Sequence, residues 1–182
     1  VDQLELNGGG LVYGVEFHND GLVALDPLEH TQITIPIPAQ IDKSKMRTFT
    51  PLTMDNPSLN FGDDIVIRDA SNPNHLTMDT QGRVWISAAV NVTATPAFCR
   101  QGSPNKFASA DPIAESTRHI AMFDPRTQKF TLIHTCFRTH HLQLAVDGSN
   151  RLFANPLGGN AASFGWLDLN AFDKTGDQQA AQ

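Results

Sequence analysis

Two adjacent histidines, His140 and His141, open the short stretch His141-Leu142-Gln143-Leu144, and a third, His75, opens a matching one, His75-Leu76-Thr77-Met78. Imidazole titrates near neutral pH and binds metals through a neutral ring nitrogen, so these residues are candidates for a general base or a metal ligand. In an extended chain Leu142, Leu144 and Val146 share one face, and His141 and Gln143 share the other. His141 is therefore the first candidate catalytic base, with His140 beside it. Equivalent positions on neighbouring strands face one space, so His75 and His141 are placed to share a ligand or a divalent metal. Asn74, next to His75, adds a polar ligand, although Asn72-Pro73-Asn74 is also a turn signal. The competing reading is a histidine that hydrogen-bonds a backbone carbonyl between neighbouring units. The spacing leaves both open.

The elements that must position these side chains form a repeat. His75-Leu76-Thr77-Met78-Asp79 leads through Gly82 into Arg83-Val84-Trp85-Ile86, and His141-Leu142-Gln143-Leu144 leads through Gly148 into Arg151-Leu152-Phe153-Ala154. Leu22-Val23-Ala24-Leu25-Asp26-Pro27 matches Ile120-Ala121-Met122-Phe123-Asp124-Pro125, with Gly165-Trp166-Leu167-Asp168 as a weaker third copy. A unit of about four short strands is one blade of a β-propeller, the predicted all-β fold. A blade takes about 40–50 residues. The 182 residues therefore hold about three blades, read as part of a larger ring, with long insertions at 39–73 and 88–117. Ile33-Thr34-Ile35-Pro36-Ile37-Pro38 alternates like a strand, and its prolines suit an outer edge. Asp26, Asp124 and Asp168 are read as turn residues that accept backbone N–H groups. Trp85, Phe153 and Trp166 are read as core between blades. His18, His30, His119 and His134 are read as surface or packing residues, and the tail around Asp177-Gln178-Gln179 as frayed.

Thirteen basic against 19 acidic residues give a net charge of −6. With no basic stripe, nucleic acid is excluded as an expected partner. No apolar run approaches the roughly 18 residues of a membrane-spanning helix. The two cysteines, Cys99 and Cys136, stand 37 residues apart, which fits no CxxC-type metal or redox motif. A disulfide anchoring the second insertion is expected, with two separate buried thiols as the alternative.

Residues 72–87, Pro96-Ala97-Phe98-Cys99, Phe123-Asp124-Pro125, Phe130-Thr131-Leu132-Ile133, Thr135-Cys136-Phe137, Thr139-His140-His141-Leu142, Gly165-Trp166-Leu167 and Phe172-Asp173-Lys174-Thr175-Gly176-Asp177 carry a family resemblance. Together they resemble exported bacterial β-propellers of the carboxypeptidase-regulatory-like and streptogramin (virginiamycin B) lyase-like family. The resemblance implies a six- or seven-bladed ring in the periplasm or outside the cell, where a Cys99–Cys136 bridge persists. The expected function is a binding or assembly module that takes a small-molecule ligand or a partner at the channel mouth. An incomplete ring also exposes sheet edges and apolar faces, so the remaining blades of the propeller or another protein chain are expected against them. The lyase of the family implies the alternative, a metal-dependent enzyme with His141 as base. Its acidic metal ligands have no counterpart here, because the four glutamates, Glu5, Glu16, Glu29 and Glu115, lie off the inner strands.

Overall fold

The computed structural model describes residues 10–16, 21–38, 48–49, 67–68, 73–88, 96–108, 119–155 and 164–182. They build an all-β architecture of antiparallel sheets. The first sheet has the order β1 (Val12–Glu16), β2 (Gly21–Asp26), β3 (Thr31–Pro36). A short ladder pairs β4 (Thr48–Phe49) with β5 (Ile67–Arg68). The second sheet is a four-stranded meander of β6 (Leu76–Met78), β7 (Val84–Ala88), β8 (His119–Asp124) and β9 (Lys129–Ile133). The third has the order β10 (His141–Leu144), β11 (Arg151–Asn155), β12 (Gly165–Asp168), and α1 (Leu169–Thr175) follows it.

The repeat seen in the sequence is a repeat of register. Leu76 pairs with Ile86 and Thr77 with Trp85, as Leu142 pairs with Ala154 and Gln143 with Phe153. One strand further out, Tyr13 pairs with Ala24, Trp85 with Met122 and Phe153 with Trp166. Tyr13, Trp85 and Phe153 thus hold one place in three sheets.

The sheets stack in one direction. Alternation along β7 and β8 sends Val84, Ile86, Ala121 and Phe123 to a layer shared with Leu22, Tyr13 and Val15 of the first sheet. It sends Trp85, Ile120 and Met122 to a layer shared with Leu142, Leu152, Ala154 and Leu167 of the third. Every residue of β7 is therefore buried. Fully burying side chains of this size contributes roughly 1.5–3 kcal/mol each. Tyr13 faces the second sheet, with its ring centroid 6.3 Å from that of Phe123, and Trp85 faces the third. Phe153, equivalent to both, lies half-buried on the third sheet's open face, and Trp166 beside it is likewise only half-buried.

Two expectations are corrected. The segment after Asp168 is a helix. After Asp26 and Asp124 a proline and a tight turn follow, and each carboxylate accepts turn N–H groups. Asp168 instead caps α1 by accepting the Ala171 N–H at 3.0 Å, and Leu169 and Phe172, three residues apart, bury one helix face. Gly176 closes the helix at φ 65°, with its N–H on the Phe172 carbonyl. The tail is not frayed. Gln182 donates to the His134 carbonyl at 2.8 Å and accepts the Cys136 N–H at 2.6 Å, while Gln178 accepts the His134 N–H at 2.7 Å. Residues 96–108 of the second insertion also contribute to the core. A 3-10 turn at Ala97–Cys99 leads to Phe107, which is buried edge-on against Phe137 and Trp166. Cys99 and Cys136 form the expected disulfide, with Cα atoms 4.7 Å apart. Gly165 makes room for this arrangement, because a Cβ there would stand 2.1 Å from the Phe137 ring. His18 and most of the first insertion lie outside the described residues.

Candidate functional site

The strands β6 and β10 lie side by side where the second and third sheets meet. Each is the edge strand of its sheet, so half of its backbone groups have no ladder partner. Side chains of the second sheet supply two. His75 Nδ1 accepts the Leu142 N–H at 3.2 Å. The Ser87 hydroxyl donates to the His140 carbonyl at 2.7 Å and accepts the His75 N–H at 3.0 Å. Because His75 Nδ1 accepts, its proton sits on Nε2 and the ring is neutral. Burial, and secondarily the neighbouring His141, hold its pKa below the usual histidine range.

The His75 and His141 rings meet edge to face with centroids 5.4 Å apart. They line one cleft of about 230 Å³ with Leu142, Gln143, Phe153, Ala154, Asn155 and Phe164. Phe153 and Phe164 stack in it at 5.3 Å. His140 does not line the cleft. It is buried, with Nδ1 3.1 Å from His141 Nδ1, so one proton between the two couples their tautomers. Asn74 is half-buried and gives its backbone N–H to the Ser87 carbonyl, away from the cleft lining.

No family model matches the chain, and no curated protein matches it significantly. The site is therefore read from its own chemistry. Among the described residues no three His, Cys, Asp or Glu side chains gather to hold a metal ion. Among the described residues that line it, the cleft offers two imidazoles, one with Nδ1 already engaged, and no carboxylate. These residues do not fit a resident divalent metal, and the lyase chemistry implied by the resemblance finds no acidic ligands among them.

Two further polar clusters were not visible in the sequence. Asp79, 1% exposed, accepts the Gln81 and Arg83 N–H groups, Arg83 Nε at 2.6 Å and Trp85 Nε1 at 2.8 Å. Arg83 also grips Asp173 of α1, which holds the third sheet's helix onto the second sheet's hairpin. The available signal was the Asp-x-x-x-Arg spacing, read only as a turn. Of the surface and packing roles open to His119 and His134, the structure shows packing: both are buried, with ring centroids 5.1 Å apart. The Thr135 N–H bonds His119 Nδ1 at 3.1 Å, and the tail side chains Gln178 and Gln182 bond the His134 backbone. Burial first, and His134 second, push the His119 pKa down to about 3. A larger hollow of about 350 Å³ opens at the opposite, hairpin end, between the first and second sheets, where Tyr13, Ile35, Phe123 and Arg126 line it.

Proposed function

We propose that this chain is part of an exported β-propeller that serves as a binding or assembly module, with a ligand or partner taken at the His75–His141 cleft. The observation that carries this reading is the directional stack. Three sheets of like register pack face to face, the opening strands β6 and β10 run side by side, and the open end of that junction is the cleft. Stacking with the opening strands innermost is how blades surround a channel. The cleft holds donors, acceptors and a stacked aromatic pair, the composition of a recognition site. The disulfide supports export, since such bridges persist in oxidising compartments.

A fragment panel followed by histidine side-chain NMR tests the reading. Binders are expected to shift the His75 and His141 ring resonances together and to lose that effect in His141→Ala. The variant's melting temperature should stay within about 2 °C of the parent, because His141 is exposed. If His141→Ala melts several degrees lower while binding persists, the histidine is structural and the reading fails.

A further inference from the structure

The second sheet holds the third with four residues of one face. His75 takes the Leu142 N–H, Ser87 takes the His140 carbonyl, Trp85 packs on Phe172 of α1 with ring centroids 6.0 Å apart, and Arg83 grips Asp173. Register assigns each an equivalent in the third sheet: His141, Asn155, Phe153 and Arg151. All four lie on the open face, three exposed and Phe153 half-buried. The third sheet thus repeats the following-sheet docking face. Phe164, 56% exposed, extends it.

The opposite end of the stack carries the complementary half. In the second sheet Val84, Ile86, Ala121 and Phe123 are the positions that pack on the preceding sheet, and all are at most 2% exposed. Their equivalents in the third sheet, Leu152, Ala154, Gly165 and Leu167, are buried as well. The same register places Val12, Gly14, Val23 and Leu25 at these positions in the first sheet. Val12 is 36% and Leu25 37% exposed there. One apolar face of the kind that docks onto a preceding sheet is open at one end, and one face of the kind that receives a following sheet is open at the other.

We infer that these two faces recognise each other, so that a second copy of this chain docks head to tail, its Val12–Val23–Leu25 face on the Phe153–Phe164 face. The inference rests on reading the sheets as successive blades and names the partner of that module as the chain itself. The argument is continuity with the two sheet-to-sheet interfaces already present, each of which joins the same two faces. The contact is heterologous: the two surfaces differ, so each molecule keeps one free face until a ring closes.

The experiment uses the whole chain. Sedimentation velocity and light scattering across a concentration series should show reversible association. Leu25→Lys breaks one face and Phe153→Lys the other, so each variant alone should be monomeric. Mixed, they retain one intact face apiece and should form a 1:1 dimer that grows no further. Val12→Lys and Phe164→Lys, both at exposed positions, repeat the test should either first variant melt lower. A wild type that stays monomeric at every concentration, or two variants that do not pair on mixing, overturns the inference. A fragment that still shifts His75 and His141 in that monomer leaves the binding reading standing. Association that survives both single variants points to a symmetric interface elsewhere and also overturns the inference.

Discussion

Acid should weaken this fold through His119 before any carboxylate is protonated. The imidazole is 4% exposed, its Nδ1 takes the Thr135 N–H, and burial with His134 alongside holds its pKa to about 3. In the unfolded chain a histidine titrates near 6.5. The unfolded state therefore binds the proton more readily. This contribution is complete above pH 6.5 and is lost as pH falls from there toward 3. At pH 5 the unfolded chain gains about 2 kcal/mol from protonating this one side chain, while the folded chain gains almost nothing. For a chain of this length that corresponds to a fall of about 4–8 °C in melting temperature between pH 8 and pH 5. His75 and His134, both held low chiefly by burial, add loss of the same sign. Urea unfolding of the wild type and of His119→Asn at both pH values isolates the His119 share. Asparagine keeps an acceptor near Nδ1 but does not titrate, so the variant's pH 8 to pH 5 loss should be smaller by about 2 kcal/mol. Equal losses in the two proteins would refute the reasoning, whatever the variant's stability at pH 8.

Three other outcomes follow from the packing. Gly165→Ala drives a Cβ into the fully buried Phe137 ring and should lower stability by about 1–3 kcal/mol, measured by chemical denaturation. Arg83→Ala leaves the Asp79 carboxylate buried without its cation and should lower stability by about 3–5 kcal/mol, whereas Asp173→Asn at the more exposed end should cost much less. Replacing both cysteines by serine opens a link spanning 37 residues and should lower stability by about 4 kcal/mol on the chain-entropy account, read as a shift in the denaturation midpoint.

The strand pairs were legible because their signals are local and doubled. His-Leu before a turn and Arg before an aromatic marked β6, β7, β10 and β11, and Asp-Pro marked the ends of β2 and β8. The nearness of His75 and His141 follows from their equal places in the repeat. Which ring nitrogen is engaged does not, because the partner is a backbone N–H on another sheet. The Asp79–Arg83–Asp173 cluster stayed hidden because its halves lie 90 residues apart and each half alone looks like a solvated turn. α1 was missed because Asp168 repeats the aspartate of the strand ends, and the choice between turn and helix lay in the residues after it. For His119 and His134 the sequence left surface and packing roles open. The tail residues Gln178 and Gln182, more than 40 residues from His134, bond its backbone at the end of β9, a long-range contact that no local pattern announces.

The segment containing Phe107 sits between β7 and β8 in sequence but presses on Trp166 of β12 in space. A disulfide ties that same segment to the link between β9 and β10, and α1 reaches back to Arg83. Neither the second nor the third sheet can open without disturbing the other, whereas among the described residues the first is joined to them through one apolar layer. Amide exchange should accordingly divide the molecule unevenly. β7, β8 and β11 should report one shared, high-energy opening, and β1–β3 a separate and cheaper one.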